Sequence, residues 1–168
     1  ALSLSKTGNF WFFDNATKDI ISFDPKTHQI LERINVNAAI PNASAATLFE
    51  DSNHMLWFSA WNNKMAVIDY RKHHFTSLAF KSDNPLSIAG DIFLAAWEDE
   101  DNTIWLGTSG GLSKCNYSKN AYSIIPIVEK VPEFKNNRLG AFNIDIRDNS
   151  WWLTSDVDLN IIHFYPES

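Results

Sequence analysis

An indole followed by two amides, Trp61-Asn62-Asn63, brings together a flat apolar face, an N–H donor and paired amide donors and acceptors. That is the equipment for stacking on a sugar ring and hydrogen bonding its hydroxyls, although a tryptophan in a loop serves equally well as packing. The other reactive side chains are scattered. The acidic run Glu98-Asp99-Glu100-Asp101 lacks the alternating order and distal glutamate of a calcium loop and reads as a solvated turn. The histidines His28, His54, His73, His74 and His163 show no zinc spacing, and the adjacent pair would point to opposite faces of a strand. Cys115, the single cysteine, cannot form an internal disulfide and reads as a small buried hydrophobe. No Ser/His/Asp or Cys/His constellation stands out. The expectation is a chain with no catalytic residue, no metal site and no cofactor.

Composition narrows the partners. With 14 Lys and Arg against 20 Asp and Glu, the net charge is −6, and no basic stretch exceeds two residues. Tracking nucleic-acid phosphates or an anionic membrane surface requires the opposite balance, so neither nucleic acid nor direct membrane contact is expected. No run approaches the ~18 apolar residues of a membrane span, and Ala1 opens on structured-looking sequence without a signal-peptide pattern. The 7 Trp, 12 Phe and 4 Tyr, 14% of the chain, favour strands and supply a large buried area.

The elements that would position Trp61 come from a repeat. Trp11, Trp57, Trp105 and Trp152 each sit in an apolar triplet or its equivalent, spaced 46, 48 and 47 residues apart, in the range of propeller blades. Each unit reads as strand, polar turn, strand, loop, strand, turn, strand. In the second these are Thr47–Glu50, Met55–Ser59, Lys64–Tyr70 and His74–Phe80, with period-2 alternation rather than a helical period. The fourth unit runs from Ile144–Ile146 through Trp151–Thr154 to Leu159–Phe164, one strand short. The expected fold is therefore an all-β propeller fragment of about 3.75 four-stranded antiparallel blades, with repeats 1–45, 46–92, 93–141 and 142–168. An open edge at 159–164 is expected to recruit another β-edge, so the chain would belong to a larger propeller or would pair as a homodimer.

The run Glu98-Asp99 through Ile104-Trp105-Leu106-Gly107-Thr108-Ser109-Gly110-Gly111-Leu112-Ser113 closely resembles the two-component regulator propeller repeat. So do Phe23-Asp24-Pro25-Lys26-Thr27 and the connector Asp83-Asn84-Pro85-Leu86-Ser87-Ile88. The resemblance implies the extracytoplasmic region of a hybrid two-component histidine kinase: a periplasmic, non-catalytic sensor, often of oligosaccharides, packed against the remaining blades of its parent. A second, weaker resemblance links Asp101-Asn102-Thr103-Ile104-Trp105 to the Asp-box turn of sialidase-like propellers, but the glycine is missing and the spacing is one residue short. A glycosidase of that kind would need paired carboxylates or a tyrosine, with an arginine cluster for a carboxylated sugar. Arg33, Arg71, Arg138 and Arg147 fall in four different units. A protein-interaction scaffold without a small ligand is the other reading.

Residues that recur at the repeat period are explained by blade stacking, which assigns Trp11, Trp57, Trp105 and Trp152 to the scaffold. Trp61 does not recur. In propellers the loops between second and third strands share a face with the inter-blade connectors, and that face would gather Trp61, Asn62, Asn63, Asp14, Asn15, Ser109, Asp156 and Asp158, with Asp91, Asn137 and Arg138 from connectors. Of these, Trp61, Asn62, Asn63, Asp14, Ser109, Asp156 and Arg138 are the expected ligand-binding set.

Overall fold

A computed structural model describes residues 1–84, 87–116, 121–125, 139–145, 147–148, 150–155 and 160–165. These form fifteen strands in four antiparallel sheets. Sheet one holds β1 (Leu2–Leu4), β2 (Phe10–Asp14), β3 (Asp19–Asp24) and β4 (Gln29–Asn35). Sheet two holds β5 (Ala45–Glu50), β6 (Met55–Ala60), β7 (Lys64–Asp69) and β8 (His74–Leu78). In sheet three are β9 (Phe93–Glu98), β10 (Ile104–Thr108), β11 (Gly111–Asn116) and β12 (Ala121–Ile125). Sheet four has three strands among the described residues, β13 (Leu139–Asp145), β14 (Ser150–Ser155) and β15 (Ile161–Phe164). Each sheet is a meander in chain order, and the first strands of successive sheets lie against one another.

The sheets stack face to face through side chains that alternate along the strands. Trp11, Phe13, Ile20 and Ile34 meet Leu48, Leu56, Phe58 and Ile68 in one cluster. Trp57, Met65 and Val67 meet Phe93, Ile104, Leu106 and Cys115 in the next, and Trp105 and Leu112 meet Leu139, Trp151 and Leu153 in the last. Every residue of β6 is buried because sheet two is covered on both sides.

Within sheets two and three the turn between the first two strands is built by one aspartate. Asp51 Oδ1 accepts from the backbone N–H of Asn53 and of Met55, both at 2.9 Å, while Oδ2 accepts from Trp57 Nε1 at 2.9 Å. Asp99 does the same for Asp101 and Thr103, at 3.0 and 2.8 Å, and for Trp105 at 2.8 Å. The third residue beyond it is left-handed in both turns, His54 at φ 61° and Asn102 at φ 57°. In sheet one Ser5 stands at this position and Gly8 takes the left-handed turn at φ 88°. The indole of Trp11 donates instead to Glu50 Oε2 of sheet two, at 2.9 Å.

Three expectations change. Trp152 keeps the register of the recurring tryptophans, paired with Asn143 and His163 as Trp105 is with Trp97 and Lys114, but it is 43% exposed. It lies on the face of sheet four turned away from sheet three, and its neighbour Trp151 fills the junction with Trp105 instead. The first strand of the fourth unit is Leu139–Asp145 rather than Ile144–Ile146, and the boundaries at 45/46 and 141/142 fall within β5 and β13. The pairing of first and second strands in sheets two, three and four also carries register shifts, near Ala45/Thr47, Gly107/Thr108 and Leu139/Ala141. Bulges of this kind bend a strand, and nothing in the residue pattern marked them.

Candidate functional site

Each sheet has two rims. One carries the turns between first and second and between third and fourth strands; the other carries the loops between second and third strands and the inter-sheet connectors. Trp61, Asn62 and Asn63 form the three-residue loop between β6 and β7 on the connector rim. The connector 36–44 is held against this loop: Trp61 N–H donates to Ser44 O at 2.9 Å and Asn62 Nδ2 to Pro41 O at 3.1 Å. From the other side Lys18 Nζ, in the corresponding loop of sheet one, donates to Ala43 O at 2.9 Å. Asn63 closes the loop in a left-handed conformation, φ 59°, with its N–H on Ala60 O. The outcome is a braced platform whose Trp61 indole is 56% exposed.

The remaining expected residues divide. Asp14 ends β2 and turns inward on its own loop, accepting from Ala16 N–H at 2.8 Å; that bond, first among several, lowers its carboxyl below the ordinary range. Ser109 pairs with the connector of its own sheet, donating to Asp91 Oδ1 at 2.7 Å while its N–H binds Ile92 O at 3.0 Å. There the backbones come so close that a Cβ on Gly110 would stand 1.9 Å from Ala89 O, leaving no space for the side chains that the Trp61 loop displays. Asp156 and Arg138, with Asp158 and Asn137, lie outside the described residues.

A second concave feature lies on the opposite rim and was not anticipated. A cleft of about 220 Å³ opens between sheets one and two, lined by Ser5, Thr7, Trp11, Glu50, His54 and Tyr70 among others. At its base the buried Glu50 carboxylate accepts from Trp11 Nε1 at 2.9 Å and Tyr70 Oη at 3.0 Å, with His54 Nδ1 at 3.2 Å. Burial, and then Glu50 itself, push the Tyr70 phenol up to about 12, so it stays a hydrogen-bond donor to Glu50 at neutral pH. Glu98 takes the matching role at the next junction, accepting from Ser52 N–H at 2.8 Å, Ser52 Oγ and Lys6 Nζ. A signal for this was present in the pairs Glu50-Asp51 and Glu98-Asp99: the glutamate ends the first strand and reaches the preceding sheet, while the aspartate after it opens the turn and serves its own sheet. Among the described residues no three His, Cys, Asp or Glu side chains converge as a metal site.

No family model matches the chain, and no curated protein matches it. Solved structures do. A streptogramin B lyase structure matches 100% of this chain and 51% of its own, at 20% identity and a TM-score of 0.66. The extracellular domain of BT3049 from B. thetaiotaomicron, described as a hybrid two-component system, matches 99% of this chain and 21% of its own, at 15% identity and TM-score 0.65. That of BT4673 from the same organism matches 92% and 19%, at 18% identity and TM-score 0.60. The chain thus spans about half of the lyase and about a fifth of each sensor domain. At such identities the likeness shows the fold: four antiparallel sheets arranged as propeller blades, an architecture used by an enzyme and by sensor domains alike.

Proposed function

We propose that this chain is a ligand-sensing segment of the periplasmic propeller region of a hybrid two-component sensor, and that it contributes binding rather than catalysis. The observation that carries the reading is Trp61. It is an exposed indole outside the repeat period, on a loop braced from both sides, beside two exposed amides on the connector rim. Such a platform offers a stacking face and directional hydrogen bonds at small ordering cost, which suits an oligosaccharide. The sensor-domain structures sharing the fold support an extracytoplasmic setting, as does the resemblance of the repeat. Asn62 and Asn63 would then supply polar contacts beside the ring.

In this reading ligand binding matters by stabilising one packing of the parent ectodomain over another, which requires different affinity for the two states. Calorimetry of the chain and of its parent ectodomain against a panel of neutral and acidic oligosaccharides tests it. Saturable binding that Trp61→Ala weakens at least tenfold is the expected result. Absence of binding to the ectodomain would favour a protein-interaction scaffold, and turnover of any saccharide would favour the glycosidase alternative.

A further inference from the structure

Three departures from the repeat meet in the cleft between sheets one and two. The first is Ser5, which stands where Asp51 and Asp99 hold the indoles of their own sheets. Its hydroxyl pairs with Thr7 Oγ1 at 2.6 Å, so the Trp11 indole is released to Glu50 at the cleft base. The second is Ser22. It pairs with Trp11 across the strands, where Val67 pairs with Trp57 and Lys114 with Trp105, and the smaller side chain leaves space beside the ring. The third is a bulge. Ser22 pairs with Glu32 and Phe23 with Ile30, which leaves Leu31 without a partner, whereas the corresponding pairs β7–β8 and β11–β12 run without a shift. Consecutive strand residues ordinarily point to opposite faces, but a bulge re-aims them, and Leu31 and Glu32 both line the cleft.

The lining groups define what fits. Ser22 is only 4% exposed, yet its hydroxyl makes no hydrogen bond among the described residues. The Asn9 amide and the Glu32 carboxylate, which also line the cleft, are likewise unbonded among the described residues. A buried polar group without a partner is costly, so this set calls for a ligand that supplies one. On the lip Arg71 stands over the Tyr70 ring, 5.9 Å from its centroid. A hydroxyl and an amide donate and accept, a carboxylate accepts and a guanidinium donates. Hydroxyl groups on a ligand answer all four. A carboxylate ligand would be repelled by Glu32 and Glu50, and an ammonium would face Arg71 while leaving the donors of Ser22 and Asn9 unmet. The cleft's volume of about 220 Å³ lies below the roughly 300–1,000 Å³ of sites for drug-sized ligands, which limits the occupant to one small ring.

We propose that this cleft binds one neutral polyhydroxylated molecule of the size of a single sugar ring. Ser22, Asn9 and Glu32 of sheet one supply its polar contacts, and Leu31 and the Tyr70 ring its apolar walls. The site lies on the rim opposite the Trp61 platform, and neither depends on the other.

Titration of the full chain with glucose, galactose, mannose and myo-inositol, followed in ¹H–¹⁵N spectra, tests the proposal. The indole N–H of Trp11 reports on the cleft and that of Trp61 on the opposite rim, so the two readings fail separately. At least one of the four probes should move the Trp11 signal saturably, with a Kd on the order of 1 mM. Glu32→Gln and Ser22→Val, which puts the sheet-two side chain beside Trp11, should each weaken that binding at least tenfold. Ser22→Ala, which removes the hydroxyl alone, repeats the experiment should the valine variant fold poorly by circular dichroism. Three results would overturn the proposal: a Trp11 signal unmoved by all four probes at about 50 mM; binding that survives substitution of both Glu32 and Ser22; or tighter binding of glucuronate or glucosamine than of any neutral probe, which would assign the cleft to a charged ligand.

Discussion

The indole of Trp57 donates to the carboxylate of Asp51 across the turn that joins their strands, at 2.9 Å, in a site where both residues are buried. The same carboxylate holds two backbone N–H groups with its other oxygen, so one side chain closes the turn and fixes the ring that packs on sheet three. Asp51→Ala strands a buried indole donor and two backbone donors, and should cost about 3 kcal/mol in urea unfolding. Asp51→Asn, which retains an acceptor oxygen, should recover some of that loss. A cost below about 1 kcal/mol for the alanine variant would show that water replaces the carboxylate.

Sheet three offers a backbone test of the connector rim. A Cβ at Gly110 would stand 1.9 Å from Ala89 O, and one at Gly90 would stand 2.6 Å from Gly110 N. The Gly110 carbon would meet backbone alone, while that at Gly90 would also meet Ser109 Oγ at 2.5 Å. Gly110→Ala should lower stability by about 2–3 kcal/mol, in the range of overpacking substitutions. Gly8→Ala offers a contrast: its φ of 88° is strained for alanine, but nothing lies within 4 Å of the added carbon. Its cost should be closer to about 1 kcal/mol, and equal losses at the two sites would discard the steric account.

The tryptophan period, the period-2 strands and the Asp24 turn could be read directly. Asp24 accepts from Lys26 N–H and from Thr27 Oγ1, both at 2.8 Å, as the Asp-Pro-Lys-Thr run suggests. What escaped the sequence depends on partners rather than on local pattern. Trp152 has the same register as Trp105, and only the absence of a described sheet beyond it separates an exposed ring from a buried one. The cleft around Glu50 needs Trp11 from 39 residues upstream and Tyr70 from 20 residues downstream, a convergence no window of the chain displays. Trp61 could be singled out because it breaks the period; the bracing of its loop by Lys18 through Ala43 could not.

Acid should weaken the fold in a defined window. Hydrogen bonds and nearby cations lower the carboxyls of Asp14, Asp24, Asp69, Asp145 and Asp148, and the Arg147 side chain takes Asp145 to about 2. A depressed folded-state value contributes stability that is present above the unfolded value near 3.8 and disappears as pH falls through the folded one. Asp51 acts in the opposite sense, since desolvation raises its value and favours the fold at low pH. Asp148 is exposed and the other four lie half-buried at surface turns, so each effect is small and screened by salt. The thermal midpoint should fall between about pH 4 and pH 2; a rise across that span would mean that Asp51 outweighs the turns.

Alkali should act through Tyr70. Its phenol is pushed from 10 to about 12 by burial and by the Glu50 carboxylate at 3.0 Å, so the folded state holds its proton where the unfolded chain releases it. A raised value of this kind gives stability that is fully present below pH 10 and is lost as pH rises through about 12. Phenolate absorbance should therefore show one late-titrating tyrosine in the native protein, and Tyr70→Phe should remove that component. The variant should lose about 1 kcal/mol at pH 7 through the missing hydrogen bond to Glu50. Because the phenylalanine ring still packs against Trp11, whose centroid lies 5.0 Å from that of Tyr70, the sheet junction itself should persist. If the late component survives in Tyr70→Phe, the Glu50 cluster does not hold this proton and the cleft base is more open to water than its geometry implies.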